Sequence, residues 1–167
     1  QYNCHIHTAQ TFLSMVEALR MPAGQVPLVK APVKPLHELE IARLHCSADE
    51  KAQVRQLVAS LCPAFDEQAR LIIINANSSD LVPLRRWPLD NFIELGRRLL
   101  QIENTLIVLT GVAGERAESE HVQAALCSER VANLVGQTSL RQLLVLYSIC
   151  DLMITNDSGP SHFASLT

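Results

Sequence analysis

Two spacings alternate along the second half of the chain. Leu71-Ile72-Ile73-Ile74 and Thr105-Leu106-Ile107-Val108-Leu109 are unbroken apolar or β-branched runs of strand length, as expected of central parallel strands covered on both faces. A shorter run, Val131 to Val135, closes on Gly136, and Leu152-Met153-Ile154-Thr155 closes on Asn156-Asp157-Ser158-Gly159-Pro160. Between these runs the spacing is helical. A helix from near Pro88 buries Phe92, Leu95, Leu99 and Leu100 and leaves Arg97 and Arg98 toward solvent. Glu115 to Leu126 reads as a polar helix, and Ser139-Leu140-Arg141-Gln142 is a capping box that opens a helix running to Cys150. Helical spacing resumes at His162 and Phe163.

The first part of the chain is less regular. Phe12, Leu13, Val16 and Leu19 give an amphipathic connecting helix over residues 8–20, stopped by Met21-Pro22-Ala23-Gly24. Residues 25–36 contain Pro27, Pro32 and Pro35 and read as an extended edge or linker. A short run through Leu39, Ile41 and Leu44 ends at Cys46. Ser47-Ala48-Asp49-Glu50 is a second capping box, and Val54, Leu57, Val58 and Leu61 form the apolar face of a helix ending at Pro63.

Strand and helix alternating four times predict right-handed βαβ units, hence an α/β fold with a Rossmann-like, doubly wound parallel sheet. In that winding the strands at 71, 105 and 131 are stacked outward in turn, and the strand at 152 crosses to the other side of the first. The loops after Ile74 and Thr155 then flank the switch point where such sheets bind ligands. The expected division is a lead-in of residues 1–66 (interdomain helix, linker and entry segment) and a Rossmann-like domain of residues 67–167, incomplete at its C-terminus.

Composition narrows the partners. In 167 residues with 48% hydrophobic content there is material for one substantial core, and a net charge of −3 without a Lys/Arg block disfavours nucleic acid. Five scattered cysteines without Cys-x-x-Cys spacing suit reduced thiols in a cytoplasmic protein. No run approaches the roughly 20 apolar residues of a membrane span. His5-x-His7 follows directly on Cys4 but has no carboxylate nearby, a weak metal signal, so no metal is expected there. The chain opens on Gln1 and its last helix has barely begun at Thr167, which leads to the expectation of a piece of a longer protein.

Three stretches carry candidate chemistry. In Asn156 to Pro160, Asn and Asp tolerate unusual backbone angles, Gly159 admits a ligand to the main chain, and Pro160 suits a first helical position, so the turn can receive a phosphate. It serves equally as an ordinary strand-to-helix turn with Asp157 as cap. The loop Ser78 to Trp87 carries adjacent Arg85 and Arg86, which are either phosphate ligands or a solvated pair. A helix end contributes roughly 0.3 to 1 kcal/mol toward an anion. A full charge at about 4 Å, in an effective dielectric near 20, contributes on the order of 4 kcal/mol before desolvation, so an arginine should dominate diphosphate affinity. After the second strand, Thr110 to Glu115 offers a carboxylate to ribose hydroxyls or to the following helix start, while Glu118 and Glu120 read as solvated. The first strand is followed by Asn-Ala-Asn-Ser-Ser rather than a glycine fingerprint, which disfavours NAD and FAD.

The stretches INANSSDLVPLRRWPLDNFIELGRRL, IVLTGVAGERAESEHV and NLVGQTSLRQLLVLYSICDLMITNDSGPSHFASL resemble, in order and spacing, the C-terminal half of the ADP-heptose:lipopolysaccharide heptosyltransferase family of bacterial glycosyltransferases. The resemblance is strong over residues 71–167 and weak before them. It implies one half of a two-domain GT-B fold, truncated here, that binds a nucleotide-diphosphate sugar without a metal or other cofactor. Arg85 falls where the family directs a basic residue at the phosphates, although the tandem leaves Arg86 as the alternative register. Glu115 falls on the nucleoside-binding carboxylate, Asp157, Ser158 and Gly159 on the turn that receives the diphosphate, and His162 just beyond it. The family's Asn-Pro-Gly-Ala is Asn75-Ala76-Asn77-Ser78 here, a departure in the first loop.

The activity so implied is transfer of a sugar, a heptose by analogy, from a nucleotide sugar such as ADP-heptose onto a lipopolysaccharide or other cell-envelope glycolipid. The catalytic base is expected in the N-terminal half, with none in this chain. The implied location is cytoplasmic, with room for peripheral contact at the inner face of the inner membrane. The family continues with further strands beyond the point reached at Thr167, which leaves a parallel edge open to self-association. Two rivals fit the same residues: a non-catalytic nucleotide-sensing module and a sugar-nucleotide epimerase of similar architecture.

Overall fold

The computed structural model describes residues 7–22, 35–38, 43–76 and 86–167. Expectations placed on His5, residues 25–34, Leu39, Ile41, the loop 77–84 and Arg85 lie outside them. The chain divides into two compact units, Gln1–Ala42 and Arg43–Thr167.

In the first unit, α1 (Thr8–Ala18) is opened by His7, whose ring accepts the Ala9 N–H at 3.2 Å while Gln10 accepts the His7 N–H at 3.1 Å. His7 is thus a helix cap, which accounts for one member of the His-x-His pair. The helix buries none of its residues.

The second unit begins with α2 (Ala48–Leu61), capped reciprocally by Ser47 and Glu50 as the capping box predicts. Four parallel strands follow, with a helix after each: β1 (Arg70–Asn75), α3 (Leu89–Leu100), β2 (Thr105–Leu109), α4 (Arg116–Leu126), β3 (Val131–Asn133), α5 (Leu140–Ile149), β4 (Leu152–Thr155) and α6 (Gly159–Ala164). The sheet order is β3-β2-β1-β4, the doubly wound arrangement expected from the sequence. Arg70 to Ile74 pair with Thr105 to Leu109, and Ile72 to Asn75 pair with Leu152 to Thr155.

Alternation along β1 separates two cores. Leu71 and Ile73 pack with Leu106, Val108 and Ala132 beneath Val54 and Val58 of α2 and Val145, Leu146 and Tyr147 of α5. Ile74 packs with Ile107, Leu109 and Val131 beneath Phe92 and Ile93 of α3 and Val122 and Leu126 of α4. Every residue of β2 is buried, so its continuous apolar run follows from cover on both faces. Because α2 contributes Val54 and Val58 to this core, the compact unit includes the segment 43–66 that hydrophobic pattern alone groups with the lead-in.

Local differences have local causes. The strand expected over 131–135 ends at Asn133, because Asn133 Oδ1 takes the Val135 N–H at 3.1 Å and withdraws it from a ladder. A 3₁₀ turn at Ala113–Glu115 precedes α4, which starts at Arg116. In α3 the buried residues are Phe92, Ile93 and Gly96, whereas Leu95, Leu99 and Leu100 are partly exposed. Gly96 lies under Leu126, where a Cβ would come within 2.8 Å of Cδ2.

The two capping boxes are joined. Arg141, two residues after the α5 N-cap Ser139, donates to Glu50 at 2.7 and 3.0 Å and to the His45 carbonyl at 2.8 Å. That guanidinium, together with the Ser47 N–H, lowers the Glu50 carboxyl to about 2.

Candidate functional site

Parallel winding sends every strand's C-terminal end to one edge of the sheet, and there β1, β3 and β4 are each finished by a buried asparagine. Asn75 donates to the Thr110 carbonyl at 3.1 Å, closing β1 against the loop after β2. Asn133 donates to Ser119 Oγ of α4 at 3.0 Å. Asn156, just past β4, donates to the Ala76 carbonyl at 2.7 Å and accepts the Trp87 N–H at 2.9 Å. Each side chain is under 10% exposed, and all three lose their hydration to main-chain or hydroxyl partners rather than to nothing.

The turn after β4 lies beside the end of β1, as the switch-point argument requires, since Asn75 and Thr155 are the last pair of their ladder. The cap of α6 is Ser158 rather than Asp157, and Pro160 is the second helical residue rather than the first. Ser158 Oγ makes no capping bond to the helix; it donates to the Asn156 carbonyl at 3.3 Å and lies 3.4 Å from Thr155 Oγ1. Asp157, Gly159 and His162 are exposed and Ser158 is half-buried. Gly159 has space beside it: an added Cβ would meet only Phe163, at 3.8 Å. The turn's openness, rather than strained backbone, is what its glycine preserves.

Glu115 is half-buried, and one carboxylate oxygen accepts the Val112 N–H at 2.8 Å. The capping alternative weighed from the sequence is therefore in use, with the second oxygen making no described hydrogen bond. The segment bearing Glu115 is positioned by the turn after β3, where the Gly136 N–H donates to the Gly111 carbonyl at 3.0 Å.

Glu118 is exposed, as expected of a solvated side chain, with Arg86 nearby. It lies 3.9 Å from Arg86 and lines a small pocket between α3 and α4 with Ile74, Ala76, Leu89, Leu109 and Thr110. Arg86 thus faces α4, because Trp87 behind it is held through its N–H by Asn156 and by an edge-on contact with Phe92, centroids 4.8 Å apart. The sequence gives no sign of this pairing, whose partners are on different elements. Burial pushes the Cys62 and Cys150 thiols up, which keeps them protonated and unreactive.

Among the described residues no group of three or more His, Cys, Asp or Glu is placed to hold a metal ion, and no helix is long and apolar enough to cross a membrane.

A doubly wound parallel sheet covered by helices on both faces defines a Rossmann-like α/β domain. Within that class the chain belongs to glycosyltransferase family 9 (heptosyltransferase), whose sequence profile matches residues 2–165. It is 38% identical over 109 residues to lipopolysaccharide heptosyltransferase 2 of Salmonella typhimurium, a match covering 63% of this chain and 31% of that protein. It is 32% identical over 153 residues to lipooligosaccharide heptosyltransferase 2 of Haemophilus ducreyi, covering 89% of this chain and 41% of that protein. The chain therefore spans well under half the length of these relatives. The solved ADP-heptose lps heptosyltransferase II of E. coli superposes with a TM-score of 0.63 at 28% identity, over 74% of this chain and 36% of that one. A family 9 glycosyl transferase from Veillonella parvula shares the fold, with a TM-score of 0.64 at 22% identity, over 74% of this chain and 34% of that one.

Proposed function

We propose that this chain is the donor-binding part of a glycosyltransferase that moves a heptose from ADP-heptose to a lipopolysaccharide-type acceptor. The observation that carries the reading is the junction of the β1 and β4 ends: Asn156 ties the turn Asp157–Gly159 to Ala76 and Trp87, on either side of the loop that contains Arg85. In this reading the open main chain of the turn and the Ser158 hydroxyl receive the diphosphate, with His162 adding a donor from α6. Asp157 orients the turn, and Glu115 presents its second oxygen to the nucleoside.

Arg85 is the phosphate ligand in this reading. Arg86 supports that choice by being already turned toward Glu118, although a contact of 3.9 Å on partly exposed side chains is worth little by itself. Fixed positive charge beside a departing diphosphate stabilises the developing charge and supplies the main catalytic contribution of this half. A carboxylate base for the acceptor hydroxyl comes from the remainder of the complete protein, and no metal takes part. In this reading the complete protein works in the cytoplasm, with peripheral contact at the inner face of the inner membrane.

Calorimetric titration of the complete protein with ADP-, GDP- and UDP-linked sugars tests the reading. Preference for the ADP-linked sugar, with binding weakened at least tenfold by Arg85→Ala, is expected. Equal affinity in Arg85→Ala overturns the phosphate assignment. The isolated chain is expected to bind donor weakly and to transfer nothing; measurable transfer by it would place the base in this half.

A further inference from the structure

Asn156 is the one residue of its turn whose side chain is buried, at 6% exposure, and the resemblance gives it no role. Both ends of its carboxamide are used on main chain far away in sequence. Nδ2 donates to the carbonyl of Ala76, the first residue past β1, and Oδ1 accepts from the N–H of Trp87, two residues before α3. The partners fix the amide's orientation, because a carbonyl can only accept and an N–H can only donate. One planar group therefore sets the spacing of three segments: the end of β1, the approach to α3 and the turn after β4.

Few side chains can do this. Aspartate presents a second acceptor to the Ala76 carbonyl, glutamine is a methylene too long, and alanine leaves a donor and an acceptor buried without partners. Resting on the diphosphate reading above, we infer that Asn156 is a positioning residue for the donor site. It holds Asp157–Gly159 in fixed relation to Arg86-Trp87, so that the main chain of the turn and the arginine-bearing approach to α3 converge on one ligand. It touches no reacting atom itself.

The test uses the complete protein, ADP as probe, and the variants Asn156→Ala and Asn156→Asp, the latter nearly isosteric and retained as the readout if alanine does not fold. Folded variants are expected to bind ADP about tenfold more weakly, because alanine removes both buried hydrogen bonds and aspartate sets an acceptor against the Ala76 carbonyl. Amide exchange at Trp87 should accelerate in Asn156→Ala, whereas aspartate keeps an acceptor for that N–H. In an Arg85→Ala background, removal of Asn156 should cost less than about twofold further, because both substitutions weaken the hold on one ligand. Unchanged ADP affinity in a folded variant overturns the inference, as does the same tenfold loss in both backgrounds, which marks a purely structural residue. Failure of the unsubstituted protein to bind ADP removes the diphosphate reading and this role with it, an outcome distinct from either.

Discussion

Gly136 and Ala113 approach so closely that a Cβ on Gly136 would stand 2.8 Å from the Ala113 Cα, and Gly136 has φ +70. Both facts forbid a side chain there, the first by clash with backbone and the second by left-handed conformation. The contact seats the segment that bears Glu115 against the turn after β3. Gly136→Ala should lower unfolding free energy by about 1 to 3 kcal/mol in urea titrations. If Glu115 meets the nucleoside as proposed, ADP binding should weaken as well, because Glu115 moves with Ala113. A variant of unchanged stability would show that the turn can open without cost.

The link between α2 and α5 predicts an acid-sensitive term. Glu50 is lowered from 4.5 to about 2, first by its hydrogen bond to Arg141 and then by the Ser47 N–H. A carboxyl with a depressed folded-state value adds stability above its unfolded value and loses it as pH falls toward the folded one. Glu50→Gln should therefore be less stable than the unsubstituted chain at pH 7, and the two should converge between about pH 4.5 and 2. Urea midpoints across that range read the difference. A gap that persists undiminished at pH 2 would assign it to packing instead.

Burial sets the opposite dependence at Tyr147. Its hydroxyl is pushed up to about 12 by burial and then by neighbouring Cys150, while Thr110 acts the other way; among the described residues the oxygen has no hydrogen-bond partner. A raised acid keeps its contribution below the unfolded value near 10 and loses it as pH rises toward about 12. Tyr147→Phe removes an unsatisfied polar atom while keeping the ring in the core, so stability at pH 7 should stay within about 1 kcal/mol or rise. It should also blunt the alkaline loss above pH 10. Destabilisation beyond about 2 kcal/mol would reveal a bonding partner for the hydroxyl.

The ladder and its order were legible because burial on both faces writes itself as continuous apolar runs, in Leu71–Ile74 and Leu106–Leu109 alike. Ser47 and Ser139 were legible as caps because a capping box is local, complete within four residues. What the spacing hides is tertiary. Gly96 is a core residue because Leu126 covers it, and α2 joins the sheet through Val54 and Val58, with Leu57 and Leu61 packed beside them. Asn156 looks like any turn asparagine until Ala76 and Trp87, 80 and 69 positions away, are placed against it. Residue type and resemblance nominate the turn and Glu115 as candidates, whereas the ties that hold them in place leave no mark on the spacing.

Gly159 separates the structural from the ligand-binding demands on the turn. An added Cβ there meets nothing nearer than Phe163 at 3.8 Å, and its φ is not positive. The fold alone therefore has no need of glycine, and alanine is the better helix former at the first position of α6. Gly159→Ala should leave stability unchanged or raise it by up to about 1 kcal/mol. If the diphosphate packs against this main chain, the added methyl occupies ligand space, and ADP affinity should fall by about tenfold or more while the melting temperature holds. Thermal melts paired with ADP calorimetry on the same preparation separate the two effects. Equal ADP affinity in a variant of equal stability would mean that the ligand never approaches Gly159, and the turn would then act through Ser158 and His162 alone.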